Sequence, residues 1–184
     1  MRAGCLLACA ALVVLSAAAA AQEPATTSRV RADGEKARQL LAAALERSPS
    51  VSRLVAELQA RELIVLITVA PPSADSHGEF RASTRLAGSG HGQRFATVWI
   101  DEWAGVGTGV ALLAHELQHA LELANAPWVT TQEQMHVLFS RIGRELRPNR
   151  FETEAAIEAE AAAKLEVAAH RARAAKPRAE AAGG

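Results

Sequence analysis

The run GVALLAHELQHALELA, residues 109–124, constrains the fold of this chain more than any other segment. Its length and apolar periodicity predict a helix. His115, Glu116 and His119 interrupt the apolar run. The leucines around them are Leu112, Leu113, Leu117 and Leu121. Burying two imidazoles and a carboxylate among leucines costs free energy unless a metal ion or polar partners compensate. The fold must therefore supply such partners at this helix.

The spacing of the two histidines is that of a zinc site. Residues four apart on a helix project from one face, one turn apart, so both imidazoles can bind one Zn²⁺ at about 2.0–2.1 Å. Glu116 points toward the same cleft without ligating, where it can take a proton from a zinc-bound water. HELQH is an HExxH motif and predicts one zinc ion per chain with Glu116 as base. Glu122, one turn after His119, is either an acceptor for a ligand histidine or a solvated residue.

A catalytic zinc site also needs a third protein ligand and an open fourth position. Of the histidines downstream, we interpret His136 as partly buried and His170, in a charged stretch, as solvated. The remaining candidates are the glutamates of FETEAAIEAE, which are Glu152, Glu154 and Glu158. The third ligand is therefore expected to be a carboxylate.

Helical spacing favours Glu152 over Glu154 by a small margin. If a helix begins near Phe151, the residues on the face of Glu152 are small, so that this helix can approach the motif helix closely. These residues are Ala155, Ala156, Ala159 and Ala163. Glu154 instead shares its face with Ile157 and Leu165, and it stays open as the alternative.

An HExxH motif followed by a glutamate on a later helix resembles the gluzincin metallopeptidases. In several of those families the ligand glutamate opens an ExxA-like step, which Glu152 and Ala155 match, whereas Glu154 would place Ile157 there. AHELQHALE and FETEAA together are also similar to a group of short, secreted bacterial zincin-like proteins. The similarity covers roughly residues 60–165, and only the two motifs are specific.

The resemblance implies a zinc-dependent peptidase with Glu116 as the base. The zinc ligands that it implies are His115, His119 and Glu152. One departure concerns the oxyanion, which gluzincin peptidases usually stabilise with a tyrosine or histidine, because this chain has no tyrosine. The metal itself can polarise a carbonyl, and His136, His91 or an arginine such as Arg150 can assist. The sequence does not select among them.

The remaining pattern predicts an α+β domain. The predicted helices span residues 33–48, 50–62, 107–125, 130–146 and 151–176. The predicted strands span residues 63–70, 81–88 and 94–101, the last two as a hairpin. Together with the resemblance, this order implies a zincin-like fold, a minimal gluzincin, with a small, mostly antiparallel sheet before the motif helix and the C-terminal helices. The strand at 94–101 is expected at the sheet edge, where an extended peptide can add as a strand.

Residues 1–21 are expected to be a secretory signal peptide. A positive start, a short apolar core and small residues before Gln22 fit that layout, and the apolar run is too short for a membrane anchor. Cys9 sits in a lipobox-like context, but so little apolar sequence precedes it that we do not expect lipoprotein anchoring. The only cysteines, Cys5 and Cys9, lie in this segment. We therefore expect a periplasmic or extracellular protein without disulfides.

The rest of the chain is divided into three parts by composition. We predict a flexible leader at residues 22–32, a single domain at residues 33–176 and a disordered tail at residues 177–184. The chain has 20 basic and 20 acidic residues, and this balance does not favour a nucleic acid or a membrane surface as partner. A peptide or protein substrate is the expected partner.

Three hypotheses about function follow from these observations. The first is a small secreted zinc metallopeptidase, in which Glu116 activates a zinc-bound water for attack on a peptide carbonyl. The second is a zinc-binding scaffold or binding module of the same fold without proteolytic activity, which the missing tyrosine motivates. The third is a secreted helical domain with an accidental HExxH, which predicts no bound metal.

Overall fold

The computed structural model describes residues 28–71, 82–90 and 92–180 of the 184-residue chain. The predicted signal peptide lies outside these residues, as do His91 and most of the predicted leader and of the loop after Pro71. Within the described ranges, no helix has both the length and the apolar character that crossing a membrane requires.

The described residues form an α+β fold with five α-helices, a four-stranded sheet and a separate two-stranded hairpin. The helices are α1 (Gly34–Arg47), α2 (Pro49–Gln59), α3 (Gly105–Ala124), α4 (Gln132–Ile142) and α5 (Glu154–Glu180). The strands are β1 (Val30–Asp33), β2 (Leu63–Ala70), β3 (Ala82–Gly90), β4 (Gln93–Asp101), β5 (Arg144–Arg147) and β6 (Arg150–Glu152). A short 3₁₀ helix, Glu102–Ala104, links β4 to α3.

The four-stranded sheet is mixed, so the prediction of a mostly antiparallel sheet is wrong. Its order is β1-β2-β4-β3; β1 and β4 both run parallel to β2, and only β3 is antiparallel to its neighbour β4. Parallel neighbours need a crossover connection, and α1 and α2 provide it between β1 and β2. The sequence pattern finds strands but does not show which of them are neighbours.

Strand β1 was not recognised in the sequence, and residues 30–32 were assigned to the leader. Val30 is its one buried side chain, and the strand is held by main-chain pairing to β2 from Val30 to Asp33. Four residues with one buried position leave no alternation to detect. The opposite end of the domain differs as well, because α5 continues to Glu180, past the predicted end at residue 176.

Strand β3, and not β4, is the edge of the sheet next to α3. β4 lies between β2 and β3, so the predicted edge position of residues 94–101 is wrong. The hairpin itself was predicted correctly, and its strands pair from Ala82 with Ile100 to Gly90 with Gln93, with a register shift between Leu86 and Gly88. Strand β3 also packs against α3.

Helix α3 lies in the centre of the domain and is buried along most of its length. It packs against strands β3 and β4 and against helices α1, α2 and α5. Three alanines of α5, Ala156, Ala159 and Ala163, are buried in this packing. Small side chains allow the two helices to approach closely, as the spacing in the sequence indicated.

The segment between α4 and α5 differs most from the sequence-based prediction. The predicted helix at 130–146 ends at Ile142, and β5 and β6 form an antiparallel hairpin in its place. All four residues of β5 are exposed, so the segment shows no apolar periodicity. Asn149 takes a positive φ of 61° in the turn, a conformation that asparagine adopts more readily than most residues.

Candidate metal centre

The two motif histidines lie one turn apart in the buried central part of α3. His115 is 9% exposed and His119 7% exposed, and their Nε2 atoms are 3.1 Å apart. Phe139 of α4 packs edge-on against the ring of His119, with ring centroids 5.1 Å apart. Neighbouring apolar side chains thus restrict the orientation of the imidazole that the sequence predicts as a ligand.

The structure brings Glu152 to these histidines. Its Oε2 atom lies 2.7 Å from Nε2 of His115 and 3.3 Å from Nε2 of His119. These three side chains form a group that can hold a metal ion. The alternative candidates, Glu154 and Glu158, are exposed residues of α5 and do not belong to the group.

Glu152 reaches the group from a different element than the one predicted. It is the last residue of β6 and not part of a helix, since α5 begins at Glu154. The argument from a shared helical face with the alanines was therefore wrong for Glu152. Those alanines bring α5 to α3, and the junction of β6 and α5 then places Glu152 beside the histidines.

The donor atoms lie slightly closer together than the ligands of a tetrahedral ion. Bonds of about 2.0–2.2 Å at tetrahedral angles separate ligand atoms by about 3.3–3.6 Å. The observed separations are 2.7, 3.1 and 3.3 Å. An outward movement of a few tenths of an ångström would admit a metal ion, so the residues present fit one.

Two further carboxylates face the outer nitrogens of the imidazoles. Nδ1 of His119 donates to Oε2 of Glu122 at 2.9 Å, so Glu122 is an acceptor and not a solvated residue. Nδ1 of His115 lies 3.2 Å from Oε2 of Glu160. A carboxylate that accepts from Nδ1 holds the proton there, so Glu122 leaves Nε2 of His119 available to ligate.

The contact with Glu160 was missed in the sequence, although one signal for it exists. Glu160 is four residues after Ala156 and three before Ala163, so it lies on the α5 face that packs against α3. Lys164 holds its other oxygen, with Nζ 2.6 Å from Oε1. Nδ1 of His115 is buried and not aligned for a hydrogen bond, even though this carboxylate is near.

Thr153 connects the carboxylates to the start of α5 and was also missed. Its hydroxyl group donates to Oε1 of Glu122 at 2.7 Å. The hydroxyl oxygen of Thr153 accepts from the main-chain N–H of Ala156 at 3.2 Å, which is the geometry of a helix N-cap. Thr153 thereby joins the junction that carries Glu152 to the helix that carries the histidines.

The charges around the two imidazoles are predominantly negative. Burial alone would lower the pKa of His119, but the hydrogen bonds to Glu122 and Glu152 outweigh it and raise the pKa to about 9. Burial alone would raise the pKa of Glu152, but hydrogen bonds from His115 and His119 hold it well below its usual range. The group therefore favours a positive charge at its centre.

Glu116 lies beside the metal group and is not part of it. Its carboxyl group is buried, and Thr84 of β3 donates to its Oε2 atom at 2.7 Å. Burial raises the pKa of Glu116, although His119 and the hydrogen bond from Thr84 partly offset this. A carboxylate with a raised pKa is a stronger base than an exposed one.

A cavity of about 270 Å³ opens beside this arrangement. Glu116, His119 and Glu152 line it together with residues of β3, α4 and the hairpin. Of the residues predicted to assist at an oxyanion, His136 and Arg150 line the cavity, and His91 lies outside the described residues. A substrate in this cavity would contact both the metal group and Glu116.

The other histidines differ in part from their predicted environments. His136 is exposed rather than partly buried, and its ring packs against Phe151 with centroids 5.1 Å apart. His170 is partly buried and lies 3.8 Å from Glu46, whereas the sequence predicted a solvated residue. Neither histidine belongs to the metal group.

Comparison with known proteins finds no matching protein family, no similar curated protein and no similar solved structure. The site itself is a buried His-His-Glu group beside Glu116 and a cavity.

Proposed function

We propose that this chain is a small secreted zinc metallopeptidase. One observation carries the proposal: three donor atoms of His115, His119 and Glu152 converge beside a cavity that Glu116 also lines. Metal ligands and an unligated base are then within reach of one bound substrate. The three ligands leave a fourth position for substrate or water, as a catalytic zinc site requires.

The donor set favours zinc over the other common divalent ions. Imidazole nitrogens with one carboxylate are frequent zinc ligands, whereas calcium and magnesium prefer shells of oxygen atoms. The carboxylates Glu122 and Glu160 face the outer nitrogens of the two histidines. This arrangement is the one that raises the basicity of ligating imidazoles.

Bound to this group, a zinc ion would supply a Lewis acid that polarises a substrate carbonyl and acidifies water. Glu116 accepts a proton from the attacking water and later donates it to the leaving amine. Its burial supports the first step, because a raised pKa makes the carboxylate a better proton acceptor.

The donors proposed for the developing oxyanion are His136 and Arg150. Both line the cavity, and both can donate a hydrogen bond to an oxygen held there. Arg150 Nε lies 3.7 Å from Oε1 of Glu152, so it is close to the metal group. These side chains would stabilise the oxyanion, a role that gluzincin peptidases usually give to a tyrosine or histidine.

A peptide is the substrate class that the surroundings of the cavity support. Residues Ala82–Thr84 of the edge strand β3 line it, and a free strand edge can pair with the main chain of an extended peptide. Export of the protein is proposed from the sequence of residues 1–21.

The absence of tyrosine from the chain favours one second candidate function. In this alternative the protein binds zinc through the same residues but serves as a scaffold or binding module. It shares the metal group with the peptidase proposal and differs in lacking chelator-sensitive peptide cleavage.

Elemental analysis of the purified protein without residues 1–21 tests the metal group. We expect near one zinc per chain in the wild type and in Glu154→Ala, and loss of zinc in Glu152→Ala. Absence of zinc from folded wild type after reconstitution would overturn both candidate functions.

Peptide hydrolysis then separates the two candidates. The metallopeptidase should cleave mixed peptides in a chelator-sensitive reaction, and Glu116→Gln should retain zinc while losing activity by roughly 10²–10⁴-fold. Full activity of the Glu116→Gln variant would contradict the role of Glu116. Zinc binding without any cleavage would favour the scaffold.

A further inference from the structure

The hydroxyl group of Thr84 lies between two oxygen atoms of Glu116. Its Oγ1 atom is 2.7 Å from Oε2 of the side chain and 3.0 Å from the main-chain oxygen. Thr84 is on the edge strand β3, and Glu116 is in the middle of α3. The contact therefore joins the sheet directly to the proposed base.

A hydroxyl group has one proton to donate and two lone pairs that accept. When the carboxyl group of Glu116 is ionised, Thr84 donates to Oε2. The main-chain oxygen of Glu116 is also within hydrogen-bonding distance of the hydroxyl group, so Thr84 contacts Glu116 at two points.

The position of the hydroxyl group is set by the sheet. Thr84 pairs with Val98 of β4 in the central part of the hairpin, so its main chain is fixed on that side. In the described part of the chain, Thr84 is the one side chain hydrogen-bonded to this carboxyl group. Both residues line the same cavity.

We propose that Thr84 is a positioning residue for Glu116, which keeps the carboxyl group directed into the cavity. The inference rests on the proposed function, in which Glu116 takes a proton from water as the water oxygen bonds to the carbonyl carbon. Glu116 returns the proton to the leaving nitrogen as the C–N bond breaks, so it ends in its initial form.

A double-mutant cycle on the zinc-free protein tests the contact without reference to activity. Thr84→Val keeps the shape and removes the hydroxyl group, so we expect the melting temperature to fall by about 3–8 °C. Thr84→Ser, which keeps the hydroxyl group, should have a melting temperature close to that of the wild type. In a Glu116→Ala background, Thr84→Val should have a much smaller effect, because the carboxyl partner is gone.

The matched control is Thr97→Val, the same substitution on the neighbouring strand at a position outside the cavity lining. An equal effect of Thr84→Val with and without the Glu116 carboxyl group would overturn the proposal, since the hydroxyl group would then act elsewhere. A Thr84→Val variant as stable as the wild type would overturn it as well.

Kinetics with zinc bound give the second readout. Thr84→Val should bind a full equivalent of zinc and lower kcat by roughly 10–100-fold with little change in KM. Thr84→Ser should recover kcat. Unchanged kcat in Thr84→Val would refute the positioning role. An inactive wild type would instead refute the proposed function, and the double-mutant cycle on melting temperature would then test the contact of Thr84 with Glu116.

Discussion

The imidazole of His115 lies closer to Glu152 than to Glu160, the carboxylate near its other ring nitrogen. Its Nε2 atom is 2.7 Å from Glu152, while its buried Nδ1 atom lacks an aligned hydrogen bond to Glu160 at 3.2 Å. An ion between the ligand atoms would increase the first separation to about 3.3 Å. We expect this movement to bring Nδ1 into line with Glu160.

Glu160→Ala should therefore weaken zinc binding by roughly 10–100-fold, the usual effect of losing a partner of a ligating histidine. Competition against a chelator of known affinity measures the zinc dissociation constant of the variant. The control is Glu158→Ala, an exposed position on the same helix. Equal zinc affinity of the two variants would show that Glu160 does not support His115.

Gly143 connects α4 to the hairpin at a point of close main-chain approach. A Cβ atom at this position would lie 2.9 Å from the main-chain oxygen of Phe139 and 3.1 Å from that of Glu152. Contacts of this length with backbone atoms require the neighbours to move. The element that positions the third proposed ligand is therefore packed directly against this glycine.

Gly143→Ala should displace β6 and weaken zinc binding by about tenfold or more, because ligand geometry tolerates little error. The measurement is the zinc dissociation constant together with the melting temperature. Gly90→Ala is the control, since a Cβ there meets nothing within 4 Å. Wild-type zinc affinity in Gly143→Ala would show that the hairpin adjusts without loss.

Glu166 of α5 binds the N-terminal end of α2. Its carboxylate accepts from the hydroxyl groups of Ser48 at 2.5 Å and Ser50 at 2.7 Å, and from the main-chain N–H of Ser50 at 3.1 Å. Burial would raise the pKa of Glu166, but these hydrogen bonds outweigh it and lower the pKa. The contact ties the two helices together.

The pH dependence of stability at this contact follows from the lowered pKa of Glu166. Because the folded pKa is below the unfolded value of about 4.3, the stabilisation is present above that pH and is lost as the pH falls through the folded pKa. Glu166→Gln should lower the free energy of unfolding by about 1–2 kcal/mol at pH 7. Denaturant titrations at several pH values should show this difference shrinking below about pH 4, and Glu158→Gln should show none.

The sequence predicts those elements whose burial is periodic and misses those held by main-chain pairing. α3, β2 and the β3–β4 hairpin were found because their apolar residues follow helical or strand spacing. β1 and the β5–β6 hairpin have almost no buried side chains, so their sequences show no such apolar spacing. Parallel pairing was missed for two reasons: β1 was not seen, and the pattern that found β2 and β4 does not show that they are neighbours.

The candidate site was predicted to a similar extent. HELQH gave two proposed ligands and the proposed base from spacing on one helix. Glu152 was favoured through residues that in fact position α5. Glu160, Thr153 and Thr84 approach from other elements, and only the three-dimensional packing shows their contacts.

At the scale of the whole molecule, zinc should stabilise the fold. An ion that binds only the folded chain adds about 4 kcal/mol at a thousandfold excess over its dissociation constant. We expect the melting temperature to rise by about 8–16 °C with zinc. Glu152→Ala should show a much smaller rise, and an equal rise in that variant would mean that zinc binds elsewhere.

The proposed ligands His119 and Glu152 are 33 positions apart in the chain, and the cysteines, at positions 5 and 9, leave the described segment without a disulfide. A bound ion would act as a covalent staple does, closing the loop that contains α4 and the hairpin. A permanent cross-link of that span lowers the entropy of the unfolded chain by an amount equivalent to roughly 3–4 kcal/mol. Chelation would then open one wall of the cavity as well as remove the metal, and proteolytic cleavage in the exposed β5 strand would be the earliest sign.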